Sequence, residues 1–308
     1  MNSVTQKRYT AAILSTRGMS VDSRHRMIDF SEYADSLSSH PIKEIDIYDL
    51  PRLKSLRGIP SIISGNEISI VRCKDLIHLD VQVHGASDDG LNVTIEGCAA
   101  LKSLMNFPSI VDDDGTSRAN HVALVQLPMV TSLYGIPSQM QMLLIEHVGL
   151  TTLANFPRLV REQITLRRIG IENFDGLNPG TKCRTLIISD IKSLRTFGEI
   201  HTKFDELSQF IVSIDKAQAP LTGMLDLAQL AVRLGTMVTF VIPHQGDDSW
   251  SCDASRLDEL GIRANFSPKR YAQLLRKFTN IINGSAPSRI KLLRVAQLFN
   301  EYSVTTLM

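Results

Sequence analysis

The phrase "LKSLRGIP" at residues 53–60 returns as "LKSLMNFP" (101–108), "VTSLYGIP" (130–137) and "LTTLANFP" (150–157). No other feature of the chain constrains its fold as tightly, because internal repetition at a fixed period is the signature of stacked-repeat architectures. Anchored on Ile45 and Ile47, apolar residues follow at Leu50, Leu53, Leu56 and Ile59, and then Pro60. The same offsets recur from Val93 and from Val122. They recur from Met142 with Leu144, Leu150, Leu153 and Phe156, His147 being the one polar exception, and from Leu186 without the proline. Weaker copies start at Ile68 and Ile164, the latter one residue short, and an eighth begins near Phe210.

The starts at 45, 68, 93, 122, 142, 164, 186 and about 210 are separated by 20 to 29 residues. The first two apolar positions, one residue apart, read as a strand with alternate side chains inward. The later ones come every third residue, a period of neither strand nor regular α-helix. That spacing suits a coil winding round a polygonal core, one inward residue per bend. The closing Gly-Ile-Pro or Asn-Phe-Pro is a bend, since proline fixes φ and makes its predecessor extended. One such coil cannot bury its own apolar ladder, so neighbouring coils must stack.

The stretch "LKSLRGIPSIISGNEISIVRCKDL" resembles the irregular leucine-rich repeats of bacteriophage and bacterial proteins, where an "LTSLxGxP" turn precedes a short strand. The resemblance covers about residues 42–215. It departs from the common repeat in lacking its asparagine at several coils, and the second and sixth coils break the turn. It implies an α/β repeat solenoid with one parallel β-strand per coil. It also implies a recognition scaffold, a phage or bacterial structural or adaptor component among them, with no shared catalytic activity.

The expected organisation is an N-terminal cap (1–41), a solenoid of about eight coils (42–215) and a C-terminal helical or capping region (216–308). A short helix is expected after Ser31. Beyond 215 the period of three ends. "LTGMLDLAQLAVRLG" places Met224, Leu227, Leu230, Ala231 and Leu234 on one helical face with Gly235 as stop. "MVTFVIP" reads as a buried strand. "SPKRYAQLLRKFTNIING" and "APSRIKLLRVAQLFNEY" read as two amphipathic helices, the first capped by Ser267 with Pro268 in its first turn.

Inward strand positions leave their neighbours outward, and a partner-binding face is expected to include Tyr48, Val71, Val125, Leu143, Ile145 and Arg167. Contiguous exposed apolar residues usually mark a contact. Here the contact is either a partner or the chain's own C-terminal helices. Residues 261–300 carry eight cations, including Lys269, Arg270, Arg276, Lys277, Arg289, Lys291 and Arg294, and no Asp or Glu. With +1 over the whole chain, this leaves −7 elsewhere. A basic helical end can bind nucleic acid, phosphate or an acidic protein face, or remain a solvated surface.

Catalytic signals are thin. "PHQGDDSWSCDASRLDEL" (243–260) holds His244, Cys252 and the single Trp250. A Cys–His pair can serve as nucleophile and base, yet no second motif accompanies it, and a polar loop accounts for the stretch. "VDDDGTSRAN" (111–120) lacks the alternating ligands of a calcium loop and reads as a solvent loop in the longest repeat. Cys73 and Cys98 share one inward position in successive coils and are expected to stack as buried thiols. The four cysteines form no CxxC pair, and no cofactor or metal is expected. The opening residues hold no apolar run fit for a signal peptide, and no stretch approaches the roughly 18 apolar residues of a membrane span. A cytoplasmic or virion-associated protein is expected. Its partner is another protein, or nucleic acid through the basic end, and it has no enzymatic activity.

Overall fold

The computed structural model describes residues 12–15, 26–34, 42–59, 62–63, 67–81, 83–84, 90–112, 114–213, 223–241 and 268–301. They form a parallel β-solenoid. Its strands are β1 (Ala12–Ser15), β2 (Ile42–Tyr48), β3 (Glu67–Val71), β4 (Asn92–Glu96), β5 (His121–Leu127), β6 (Gln139–Val148), β7 (Leu159–Arg167), β8 (Thr181–Ser189), β9 (Gln209–Ser213) and β10 (Met237–Val241). They lie side by side in chain order and pair in parallel throughout.

Register follows from the two inward residues of each strand. Ile45, Ile68, Val93, Val122, Leu143, Ile164, Leu186, Phe210 and Val238 form one continuous row. Ile47, Ile70, Ile95, Leu124, Ile145, Leu166, Ile188 and Val212 form the second. Every member of both rows is buried. A slip of one residue would turn a strand's whole apolar set to solvent, so these rows fix the stacking.

The period of three has a hydrogen-bonding cause. Leu53 N–H donates to Leu50 O at 3.2 Å, Ile59 to Leu56 at 3.1 Å, Phe107 to Leu104 at 3.0 Å and Ile136 to Leu133 at 3.2 Å. At these alternate steps of the ladder a residue closes a β-turn onto the ladder residue before it. Inside "LKSL" the serine caps the turn. Arg57 N–H donates to Ser55 Oγ at 2.9 Å, Met105 to Ser103 at 3.1 Å and Tyr134 to Ser132 at 3.1 Å. Asn173 and Thr196 do the same for Asp175 and Gly198. The sixth coil, which looks broken in sequence, therefore builds the same turn as "IENFDGL". The residue before the last ladder position takes positive φ at Gly58, Asn106, Gly135, Asn155, Gly176 and Glu199. This explains the alternation of Gly and Asn there, the residue types that enter the left-handed region most readily.

The N-terminal segment contains another copy of that turn. Met27 and Phe30 are buried, Ser31 N–H donates to Asp29 Oδ1 at 2.9 Å, and Phe30 N–H donates to Arg57 O at 2.8 Å. With β1 beside β2, the coil pattern extends ahead of residue 42. A single 3₁₀ turn, Ser31–Tyr33, occupies the place of the short helix expected after Ser31.

One coil differs from its expected phase. Leu143 and Ile145 point into the core, and Met142 and Leu144 point outward. Val148 pairs with Leu127 and is buried, while His147 is exposed. Between Val148 and Leu150 this coil has only Gly149, one residue fewer than between Leu127 and Val130. Counting back from the "LTTL" turn crosses that deletion and inverts the strand. The same shortening occurs at Gly170, between Ile169 and Ile171.

The last coil replaces its turns by α1 (Met224–Leu234), ending on Gly235 with φ of 69°. Leu227, Leu230 and Ala231 of α1 are buried. Helices α2 (Pro268–Asn283) and α3 (Ser288–Glu301) pack on β10, on α1 and on each other through Phe278, Val295 and Leu298. Phe174, Phe197 and Phe210 form a buried aromatic cluster, with ring centroids 5.9–6.4 Å apart, in the coils leading to this end.

Candidate functional site

Three surfaces emerge from this stacking: the outward sheet face, the edge where the strands end, and the basic helices. The middle outward row runs Thr94, Ala123, Leu144, Thr165, Ile187 and Ile211 in register. Each of these from Thr94 onward is half-buried, as expected for a sheet surface open to solvent. Helices α2 and α3 sit at the β10 end, so their packing leaves this row uncovered.

The expected partner-binding residues are distributed unequally over this face. Tyr48, Val125 and Arg167 face outward and are half-buried. Val71 lies on the outward row between Tyr48 and Glu96, yet it is closed off at 3% exposure. Leu143 and Ile145 belong to the core and offer nothing to a partner; Met142 and Leu144 take their place. Tyr48 carries the Arg72 guanidinium 5.7 Å from its ring centroid, and Arg72 is held on Asp49 by two bonds of 2.6 and 2.8 Å. Arg167 lies 3.5 Å from Glu146 and 3.2 Å from Asp190, and Arg168 makes parallel contacts to the same two acids. Both arginines thus tie three coils together.

Where the strands end, a column of left-handed residues runs across the coils: Asp49, Arg72, Gly97, Gln126, His147, Arg168 and Asp190, with φ between 52° and 66°. Only one of them is glycine. The turn holds the rest in this region through bonds to the next strand, such as Asp49 N–H to Val71 O at 3.0 Å and Arg168 N–H to Ser189 O at 3.2 Å. Two open depressions lie along this edge, and their linings include Gly149 and Gly170 of the two shortened coils. One open cavity of about 520 Å³ has Lys74, Gln126, His147 and Arg168 around Pro128 and Gly149. A second of about 550 Å³ shares His147 and Arg168 and continues to Asp190, Lys192 and Ser193. This groove was not foreseen from the sequence. Its one sequence signal is the missing residue at Gly149 and Gly170.

In the basic end, Arg276 and Arg294 are exposed, Lys291 is half-buried, and Lys277 pairs with Glu301 at 2.7 Å. The side chains of Lys269, Arg270 and Arg289 lie outside what is described, as do His244, Trp250 and Cys252. Ile290 and Leu293 are exposed on the same helix as Arg294.

The remaining candidates resolve into structure. Cys73 and Cys98 are buried and reduced in neighbouring coils. Their mutual hydrogen bond, followed by burial, pushes the Cys73 thiol well above its ordinary range. Burial pushes Cys183 up to about 12. Around residues 111–120, the segments Ile110–Val111 and Ser117–Arg118 form an antiparallel hairpin closed by an Arg118–Asp112 pair at 2.9 Å. Among the described residues no group of three or more His, Cys, Asp or Glu is placed to hold a metal, and no helix is long and apolar enough to cross a membrane.

No protein-family model, curated protein or solved structure matches the chain.

Proposed function

We propose that this β-solenoid is a non-enzymatic protein-interaction or assembly module of the leucine-rich-repeat kind. Its contact surface is the outward face of β5 to β9. The observation that carries this reading is the in-register row Ala123, Leu144, Thr165, Ile187 and Ile211, left open by the chain's own helices. A broad, weakly charged sheet surface has the composition of a protein contact, with its polar residues toward the rim. A place in a phage or bacterial assembly, in the cytoplasm or on a virion, follows from the resemblance of the repeats. Site-specific photo-cross-linking tests the reading. Probes at Leu144 and Ile187 should capture one and the same protein, and Leu144→Asp should abolish that adduct while the far-ultraviolet circular dichroism is unchanged. Adducts that differ between the two positions, or that survive the substitution, would overturn it.

A second reading rests on the exposed cations of α2 and α3, Arg276 and Arg294, together with the absence of any acid over residues 261–300. Nucleic acid bound there would be released by salt, because each phosphate contact displaces condensed counterions. Neutralising Lys269, Arg270, Arg276 and Lys277 together should weaken binding to any duplex and flatten its salt dependence. Binding that is indifferent to this change removes the reading.

A further inference from the structure

Helix α3 leaves one face to solvent. Ile290, Leu293, Arg294 and Gln297 stand at intervals of three or four residues and are all exposed, whereas Val295 and Leu298 of the same helix are buried. Arg276 is exposed on α2. Glu301, the one acid of the two helices, is paired with Lys277 at 2.7 Å. Arg276 and Arg294 therefore have no acid bound to them among the described residues. The other end of the sheet carries the opposite charge. On the outward side of β2, β3 and β4 the acids Glu44, Asp46, Glu67 and Glu96 stand without a single Lys or Arg. Arg72, beyond the strand end, is held on Asp49. Glu44 and Glu67 face each other in register on adjacent strands, about 4.8 Å apart, where like charges repel. Among the described residues neither carboxylate has a cation.

We infer that the α2–α3 face of one copy of this chain docks on the outward β2–β4 face of a second copy. Within one copy the two surfaces cannot meet. The helices pack at β10, seven inter-strand steps from β3, roughly 34 Å at about 4.8 Å per step. An arginine presents its N–H donors as a planar fork, so one guanidinium set between Glu44 and Glu67 turns their repulsion into attraction. Ile290 and Leu293 lose water on docking, with Arg294 and Gln297 as a polar rim beside them. The same helices carry the nucleic-acid reading, but a phosphate backbone offers no counterpart to two exposed apolar side chains. The contact joins two different surfaces, so each docked copy presents the same pair again and the copies line up head to tail. Both surfaces are separate from the β5 to β9 face, and the inference does not rest on the reading of that face.

The test follows the molar mass of the nuclease-treated full chain by sedimentation equilibrium over a range of concentration and salt. The parent should self-associate at low salt and dissociate at high salt, because exposed charge pairs are screened. Arg276→Glu with Arg294→Glu, or Glu44→Lys with Glu67→Lys, should each weaken association by about tenfold or more. Mixing the two variants should restore it, since each then meets a surface of opposite charge, and a variant that had merely failed to fold would not be rescued. A parent that stays monomeric, indifference to both reversals, or no restoration on mixing would each overturn the proposal. Association that requires an added duplex oligonucleotide would overturn it in favour of nucleic acid. Association abolished by Leu144→Asp, with both reversals neutral, would overturn it by seating the copies on the β5 to β9 face.

Discussion

Gly149 and Pro128 approach so closely that a Cβ on Gly149 would overlap the Pro128 carbonyl oxygen. The Gly149 N–H donates to Leu127 O at 3.1 Å, which holds the two coils at this spacing. Gly149→Ala should therefore destabilise the protein by about 1–3 kcal/mol, the usual range for forced overpacking. Urea unfolding would show it as a lower midpoint at unchanged slope. At Gly115, where a Cβ would meet nothing within 4 Å, the only penalty is the positive φ of 80°. Gly115→Ala should accordingly cost less.

The inverted phase of the fifth coil has a direct test in adjacent residues. Leu143 is 1% exposed in the core, whereas Leu144 is half-exposed on the sheet face. Leu143→Ala should cost about 2–5 kcal/mol and Leu144→Ala less than about 1 kcal/mol. Equal losses at the two positions would refute the register given by Leu143 with Val122 and Ile164.

Turn capping predicts a graded series at Ser132. Its Oγ accepts from Tyr134 N–H at 3.1 Å and from Asn155 Nδ2 at 3.2 Å. Ser132→Ala should lower stability by about 1 kcal/mol or somewhat more, since two donors lose their acceptor. Ser132→Thr should restore most of it, because threonine fills the equivalent place at Thr152. Thermal unfolding of the two variants side by side measures the difference.

Cys183 predicts a stability loss in alkali. Burial raises its thiol from 9.0 in the unfolded chain to about 12 in the fold. Below pH 9 both states hold the proton and the group is neutral in its effect. Between about pH 9 and 12 the unfolded state binds fewer protons than the folded one, so stability falls as pH rises. Cys183→Ala should flatten the Tm profile across that window relative to the parent. A parent profile as flat as the variant's would contradict the burial of the thiol.

Most of the solenoid was legible in the sequence because its two periodicities, two along the strand and three along the turns, come from different hydrogen-bond patterns. Rows such as Ile45–Ile68–Val93–Val122 and helix α1 were readable in this way. The fifth coil was misread because periodicity carries no information across a deletion, and Gly149 marks one. The copy of the turn at Met27–Ser31 was hidden because Asp29 stands where serine stands elsewhere, although its carboxylate accepts the same N–H bond. The groove was the least legible feature. It lies along two coils that each lack a residue, and a pattern search weighs the residues that are present.

Strand order here is chain order, so each coil touches only the coils written just before and after it. Mechanically, such a molecule resembles a coiled rope more than a knot. Tension applied at one end would strip coils in sequence, each releasing 20 to 29 residues, on the order of 70–100 Å of slack at roughly 3.5 Å per residue. The shortened fifth and sixth coils, cross-tied through Arg167 and Arg168 to Glu146 and Asp190, would be the place where peeling pauses.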